Sequence, residues 1–347
     1  MTDLLIYGAN GYTGELIARL AVERGERPVL GGRSEEKVRP LAEELGLDCR
    51  IFGLEDSAGP VSDFACVLHC AGPFRRTSKP MVEACVRSGT HYLDITGEIE
   101  VFEALAARTK EFEEAGVMVM PGVGADVVPS DCLAVHVAGR LPTATHLELG
   151  LLASGGMSHG TATTALQSVN EGGAERREGR IRRVPAGHRT RTFDFGRGAR
   201  QAIAIPWGDV STAYYSTGIP NIVTYFALPP LTRVGVKAGR YLGGLMASPF
   251  LQARLQALID RRPAGPDQAT REAASLVVVA EVSDAEGTRV SARLNGPSGY
   301  SLTALAALLV AKKVLAGDWK PGFQTPAAAY GADLVLQVPG VSRVDLA

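Results

Sequence analysis

The sequence predicts an α/β protein that begins with a doubly wound parallel sheet and continues into an α+β domain with a mainly antiparallel sheet. Short apolar runs alternate with helical patterns over residues 1–125, which is typical of parallel βαβ units. A glycine-rich turn joins the first apolar run to the first helical pattern. After Pro121 longer strand patterns replace this alternation, which favours antiparallel pairing. The 347 residues also exceed what one hydrophobic core usually serves, so we expect more than one domain.

In the first domain, each predicted strand is a short apolar run followed by a turn and a helical pattern. The strands are predicted over 4–7, 28–30, 49–52, 65–70, 91–95 and 117–120. Helices are predicted after the glycine turn and over 35–45, 79–88 and 98–115. This order assigns residues 1–125 to one domain.

Residues 126–297 are predicted to form a second domain for substrate binding or dimerisation. A helix is expected near residue 130, and further helices are expected over 161–169, 233–246 and 251–260. Strands are predicted over 145–152, 200–205 and 222–228, with a hairpin of arms 275–282 and 288–294. Residues 302–315 form a helical pattern that is apolar nearly all round. We expect this helix and its tail, 298–347, to pack back on the first domain.

The glycine turn, Gly8-Ala9-Asn10-Gly11-Tyr12-Thr13-Gly14, predicts a Rossmann dinucleotide site. Glycines in such a turn allow a tight bend, close approach of the backbone to a pyrophosphate and close packing of the helix on the strand. The pyrophosphate then meets the positive end of the helix. An ordinary turn is the alternative, but the strand before the glycines and the strands after them favour cofactor binding.

The end of the second strand predicts NADP(H) as the cofactor. Enzymes that use NAD place an acidic residue there to hold the ribose 2′-hydroxyl, whereas this chain has Arg33 and Ser34, with Lys37 one turn further on. An arginine can pair with a 2′-phosphate, and a serine can add a hydrogen bond. A solvated arginine before a helix is the alternative.

The fourth predicted strand ends in Cys70, Ala71, Gly72 and Pro73. Ligands of doubly wound sheets lie at the carboxyl ends of the strands. Small residues at this end would let the ribose and nicotinamide of the cofactor approach the backbone. Alternatively, the glycine and proline serve only the turn.

Several motifs of the chain resemble the saccharopine dehydrogenase-like oxidoreductases, and in particular the branch with trans-acting enoyl reductases of bacterial lipid synthesis. The motifs are YGANGYTG, GGR, CAGPF, ACVRSGTHYLDITGE, PGVGADVVPSD, SHGTATTALQS, IPWGDVSTAYYSTGIPNI, GPSGYSLTALAAL and TPAAAYG. The resemblance therefore covers almost the whole chain. It implies a Rossmann domain that carries NADP(H) and a second domain that supplies substrate contacts, but it does not specify a substrate. Many relatives have glycine where His159 stands, so the resemblance assigns no role to this loop.

A reductase also needs a proton donor near the nicotinamide. Asp94 and Asp126 follow the fifth and sixth predicted strands in loops, and we consider both as catalytic candidates. Glu98 and Asp131 lie in the first turns of helices, where the helix dipole alone favours a carboxylate. From the second domain, His159 opens a helix beside glycines, and its ordinary pKa range suits proton transfer. Tyr300 is a weaker candidate of the same kind.

These features favour an NADP(H)-dependent oxidoreductase that reduces an apolar or lipid-like substrate, as an enoyl reductase does. One alternative is an NADP(H)-binding sensor or scaffold without turnover. Another is a saccharopine dehydrogenase or reductase activity, for which the arginines of residues 176–183 could bind carboxylates, although a solvated surface explains them equally. Residues 224–260 are rich in apolar and basic side chains, which fits contact with anionic lipid, packing in the core or a homodimer interface.

Composition excludes several other classes. The 36 basic and 37 acidic residues nearly cancel, so no overall field favours nucleic acid. The five cysteines are odd in number and lack the spacing of zinc ligands, so we expect a reduced protein without a metal. We see no signal peptide and no apolar run long enough to span a bilayer, and we therefore expect a cytoplasmic protein.

Overall fold

The computed structural model of the chain describes residues 3–168, 172–230, 232–233, 236 and 248–346. It divides into two compact units. The first unit comprises Met1–Val128 and Tyr300–Tyr330, and the second comprises Pro129–Gly299 and Gly331–Ala347.

In the first unit the strands lie close to their predicted positions. The second unit contains more strands than the sequence predicted. In chain order they are β1 (Leu4–Tyr7), β2 (Val29–Gly32), β3 (Cys49–Ile51), β4 (Cys66–His69), β5 (His91–Asp94), β6 (Met118–Met120), β7 (His146–Ala153), β8 (Gly173–Arg177), β9 (Arg180–Val184), β10 (Thr190–Asp194), β11 (Ala199–Ala204), β12 (Asn221–Phe226), β13 (Ser275–Ser283), β14 (Arg289–Pro297), β15 (Gly322–Phe323) and β16 (Ser342–Leu346).

The described helices are α1 (Tyr12–Glu23), α2 (Glu35–Leu45), α3 (Ala58–Val61), α4 (Phe74–Ser88), α5 (Ile99–Ala106), α6 (Thr109–Glu114), α7 (Val128–Arg140), α8 (His159–Ser168), α9 (Asp209–Thr217), α10 (Pro249–Asp260), α11 (Gln268–Ala273), α12 (Gly299–Leu315) and α13 (Pro326–Tyr330). The single helix predicted over 98–115 is two helices, α5 and α6. Helix α4 begins at Phe74, earlier than the predicted start at residue 79.

The first unit contains a seven-stranded parallel sheet in the order β15-β6-β5-β4-β1-β2-β3. Strand β1 lies between β2 and β4, and pairs Leu5 with Val29 of β2 and Tyr7 with His69 of β4. All four residues of β1 are buried, as expected of an apolar strand inside a parallel sheet. The predicted doubly wound sheet is therefore confirmed. Strand β15 was not predicted, since two residues carry no periodic pattern.

The second unit contains a mixed, mainly antiparallel sheet in the order β10-β11-β12-β7-β13-β14-β16, with β8 attached to β12 and to β9. Strands β12 and β7 are parallel, and the other pairs are antiparallel. This architecture confirms the predicted α+β class. Strands β8, β9 and β10 were not predicted, because arginine and glutamate interrupt the apolar alternation that marks a strand.

The C-terminal residues divide between the units, which differs from the predicted single segment 298–347. Most of α12 belongs to the first unit, whereas Ser342–Leu346 pairs antiparallel with β14 of the second sheet. The exposed edge of β14 offers backbone groups that this short strand satisfies.

The helix predicted over 233–246 lies outside the described residues, except for positions 233 and 236. Among the described residues, no helix combines the length and apolar character needed to cross a membrane.

Candidate dinucleotide and catalytic site

The glycine turn after β1 has no space for side chains at two of its glycines. Gly8 has a φ of +82°, and a Cβ there would lie 2.7 Å from the backbone nitrogen of Ala71. A Cβ on Gly14 would lie 2.4 Å from the carbonyl oxygen of Gly8. The N–H groups of Gly8 and Ala9 both donate to the carbonyl of Gly31, at 2.8 and 3.2 Å. The turn is thus fixed to β2 on one side and to the loop after β4 on the other.

Helix α1 begins directly after this turn, so its first N–H groups point out of the carboxyl edge of the sheet. Gly11 is the N-cap, and neither it nor Asn10 is covered by neighbouring residues. Thr13 is partly buried in the first turn. The ring of Tyr12 packs edge-on against Tyr300 at the start of α12, with centroids 5.1 Å apart. A glycine cradle with a helix N-terminus fits the pyrophosphate of a dinucleotide.

The end of β2 presents the predicted basic residues to solvent. Arg33 and Lys37 are exposed, and Arg33 forms no ion pair within the described part of the chain. Ser34 is the N-cap of α2, yet its hydroxyl makes no capping hydrogen bond. All three side chains therefore keep polar groups available for a 2′-phosphate.

Glu55, which the sequence analysis did not select, also affects the electrostatics at the end of β1. Burial raises the pKa of the Tyr7 hydroxyl, the charge of Arg33 lowers it, and the charge of Glu55 raises it. Arg33 and Glu55 thus both act electrostatically at the end of β1. Glu55 follows β3 in a short turn, a position that the spacing of the dinucleotide motif does not indicate.

The loop after β4 lies directly beside the glycine turn. The N–H of Cys70 donates to the carbonyl of Tyr7 at 2.7 Å, and the hydroxyl of Thr77 donates to the carbonyl of Ala71 at 2.6 Å. The Gly72-Pro73 peptide bond is cis, and Gly72 is exposed. Burial raises the pKa of the Cys70 thiol, which keeps it protonated near neutral pH. The loop therefore presents backbone and small side chains rather than a reactive thiolate.

Glu98 stabilises the N-terminus of α4 rather than that of its own helix α5. Its two carboxylate oxygens accept the N–H groups of Phe74 at 2.9 Å and Arg75 at 2.8 Å. The N-cap of α4 is Pro73, which has no side-chain acceptor. Glu98 supplies the missing cap from 24 residues away and so fixes the loop that precedes α4.

Asp94 is fully buried and both of its carboxylate oxygens are engaged. One oxygen accepts the N–H groups of Thr96 and Gly122, each at 2.9 Å, and the other accepts the hydroxyl of Tyr92 at 2.7 Å. Burial outweighs these hydrogen bonds and raises the pKa of Asp94 to about 7. Asp94 therefore braces the turns after β5 and β6, and we do not assign proton transfer to it.

Asp126 has the properties expected of a proton donor. Its side chain lies against Gly97, where a Cβ would be 3.1 Å from the carboxylate. It has no hydrogen-bond partner among the described residues, and burial raises its pKa to about 6. The N–H of the preceding Ala125 donates to the hydroxyl of Thr303 at 2.9 Å, which fixes the loop. Asp126 remains a candidate for catalysis.

His159 belongs to the second unit, whereas the other predicted site residues belong to the first. Its Nε2 lies 2.8 Å from a carboxylate oxygen of Asp260, and the side chain is 40% exposed. This surface pair gives His159 a structural role, and a catalytic role for it stays a prediction.

The arginines of residues 176–183 lie on the β8–β9 hairpin, and not all of them are solvated. Arg176 is buried, donates to the carbonyls of Val210 and Gly179, and stacks on Tyr214. Arg177 pairs with the buried Glu175. These two arginines serve the fold of the second unit and are not available as a carboxylate-binding cluster.

Comparison with known proteins identifies the first unit. Residues 4–120 match the family model of the saccharopine dehydrogenase NADP binding domain. A structure of apo saccharopine dehydrogenase (L-Glu forming) from Saccharomyces cerevisiae has a fold similar to that of this chain. It superposes with a TM-score of 0.68 over 99% of both chains at 14% identity.

Proteins named trans-acting enoyl reductases are also similar to this chain. The Mycobacterium leprae protein is 35% identical over 140 residues, which cover 37% of this chain and 34% of that protein. The Mycobacterium tuberculosis protein is 32% identical over the same length, with the same coverage. These alignments span about a third of the relatives' length. A second M. tuberculosis protein, provisionally given the same name, is 28% identical over 407 residues, or 98% of this chain and 96% of that protein.

These findings confirm the predicted resemblance and the predicted cofactor, NADP(H). In the first unit the glycine turn lies against the loop after β4, and Asp126 lies against Gly97. The cap that Glu98 provides was missed because its partners lie far away in the sequence.

Proposed function

We propose that this protein is an NADP(H)-dependent reductase of an apolar or lipid-like substrate, with a reaction like that of an enoyl reductase. One observation carries the proposal: a single unit combines a glycine turn that excludes side chains with a carboxyl group, Asp126, that has no hydrogen-bond partner among the described residues. Reducing an enoyl group requires a proton as well as a hydride. The relatives named trans-acting enoyl reductases support this reaction class.

In this proposal, residues 8–14 hold the pyrophosphate with the N–H groups of the turn and of the first turn of α1. Arg33, Ser34 and Lys37 hold the 2′-phosphate, and residues 70–73 lie along the nicotinamide half. NADPH supplies the hydride when it is bound. The residues of the chain orient the reactants and exclude water.

Asp126 is the group that we propose for proton transfer. A general acid works best with a pKa near the working pH, and the pKa of Asp126 is raised to about 6. Its protonated fraction falls above that pH, so the rate of reduction should fall as well. Asp94 contributes indirectly, because it braces the turns after β5 and β6.

The experiment is NADPH oxidation with enoyl thioesters of increasing chain length and, for comparison, with 2-oxo acids. Saccharopine, which can only be oxidised, is offered together with NADP+ instead. We expect turnover with the enoyl thioesters and a preference for longer chains. Asp126→Asn should lower kcat by about a hundredfold or more, the typical contribution of general acid catalysis, without changing the Kd for NADPH. Asp131→Asn is the matched control, since Asp131 follows in the sequence in α7 and accepts a hydrogen bond from the hydroxyl of Ser216.

Two other outcomes would replace the proposal. Tight NADPH binding without oxidation of any substrate would favour a sensor or scaffold. A preference for saccharopine or 2-oxo acids would favour an amino-acid-linked activity. The predicted homodimer and cytoplasmic location stay predictions.

A further inference from the structure

Helix α10 carries an exposed stripe of apolar and basic side chains. Phe250 is 70% exposed and Leu258 is 58% exposed. Arg254, Ala257 and the C-cap residue Arg261 are also exposed. With 3.6 residues per turn, these five positions fall within a sector of about 100° of the helix surface. Phe250 and Leu258 lie about 12 Å apart along the axis. We call these five residues the α10 stripe.

The α10 stripe contains no carboxylate, so its charge is positive. The acidic residue of this helix, Asp260, lies outside the sector and accepts hydrogen bonds from Gln256 and pairs with His159, each at 2.8 Å. Within the stripe, the guanidinium of Arg254 lies 5.0 Å from the centre of the Phe250 ring. A solvated helix face usually mixes both signs of charge and lacks large apolar groups. The α10 stripe instead carries positive charge alone and includes two large apolar side chains.

Two exposed residues outside the α10 stripe, Met157 and Arg262, are also apolar or basic. The N–H of His159 donates to the carbonyl of Ala264 at 2.9 Å, which ties the start of α8 to the segment after α10. Met157, two residues before His159, is 58% exposed. Arg262, beside the stripe, is exposed as well. Met157 and Arg262 therefore add an exposed apolar side chain and an exposed cation to the two segments that this hydrogen bond joins.

We propose that the α10 stripe docks on the surface of an anionic lipid bilayer. Phe250 and Leu258 enter the boundary between headgroups and acyl chains, while Arg254 and Arg261 contact lipid phosphates. An interfacial helix requires this combination of a basic face and large apolar side chains. The centre of a protein–protein interface is instead depleted of charged residues, whereas here an arginine stands between the two apolar side chains. The proposal concerns binding alone and does not rest on the reductase activity.

The test is co-sedimentation of the full chain with vesicles, without cofactor or substrate. One set consists of phosphatidylcholine alone, and the other of equal parts phosphatidylcholine and phosphatidylglycerol. We expect binding to the anionic vesicles that weakens with added salt. The double variant Phe250→Ser/Leu258→Ser should bind at least about tenfold more weakly, because two large side chains no longer leave water. Arg254→Gln should weaken binding to the anionic vesicles by about fivefold and leave binding to neutral vesicles unchanged.

The matched control is Leu336→Ser, because Leu336 is also exposed, at 38%, but lies outside the stripe. This variant should bind as the original chain does. The proposal is overturned if the original chain does not bind anionic vesicles, or if the double variant binds them as tightly as the original chain does. It is also overturned if sedimentation shows a dimer that the double variant converts to a monomer, since the stripe would then join two copies of the chain.

Discussion

Replacing Asp94 by asparagine should stabilise the protein at high pH and have a much smaller effect at low pH. In the folded chain Asp94 has a pKa of about 7, whereas an unfolded chain restores its usual value of 3.8. Between these values the folded state binds the proton more tightly, so the free energy of unfolding falls as pH rises. Each tenfold change in proton affinity corresponds to about 1.4 kcal/mol, so the loss across this range reaches at most about 4 kcal/mol.

Asparagine at position 94 matches the geometry of the carboxyl group without the charge. Its oxygen can accept the N–H groups of Thr96 and Gly122, and its NH₂ group can donate to the Tyr92 oxygen. Asp94→Asn should therefore remove the pH dependence that this carboxyl contributes. Above about pH 7 the variant should be the more stable protein by up to about 4 kcal/mol, and near pH 4 the difference should nearly vanish.

The assay is urea unfolding of both proteins at several values between about pH 4 and pH 8, with the difference in free energy plotted against pH. Tyr92→Phe provides a second variant, because it removes the hydrogen bond at 2.7 Å that supports the ionised carboxylate. It should destabilise the protein more at pH 8 than at pH 5, by roughly 1.5–3 kcal/mol at the higher value. A loss of stability in Asp94→Asn that is equal at every pH would refute the reasoning. If Asp94→Asn lost turnover while Asp126→Asn stayed fully active, the structural role of Asp94 and the proton-transfer role of Asp126 would both be refuted.

Two further predictions concern the cofactor site. Arg33→Ala should weaken NADPH binding by about 1.5–3 kcal/mol and leave NADH binding unchanged, as measured by fluorescence titration. Equal weakening of the binding of both cofactors would contradict a contact between Arg33 and the 2′-phosphate. Gly14→Ala should destabilise the fold by about 1–3 kcal/mol, because the new Cβ would lie 2.4 Å from the Gly8 carbonyl oxygen. Gly139→Ala is its control in thermal unfolding, since a Cβ at this exposed helical position meets nothing within 4 Å and should stabilise by up to about 1 kcal/mol. Equal effects of the two alanines would contradict the steric argument.

The sequence by itself determined the parallel sheet and the cofactor class. Both follow from features close together in the chain, namely apolar runs that alternate with helical patterns and the glycine turn directly after β1. The role of Arg33 at the 2′-phosphate stays a prediction, which rests on the usual spacing between the glycines and the ribose-binding position. Where polar residues interrupted the alternation, as in β8–β10, the local pattern did not predict the strands.

Only the tertiary structure separated Asp94 from Asp126. Both follow a strand in a loop, so their local sequences predict similar roles. Asp94 is enclosed by donors from two different turns, whereas Asp126 faces Gly97 and has no hydrogen-bond partner among the described residues. Only the tertiary structure likewise showed that Glu98 caps α4, because its hydrogen-bond partners come from a different part of the chain. Burial and hydrogen bonding decide the pKa of a carboxyl group, and both depend on residues that folding alone brings together.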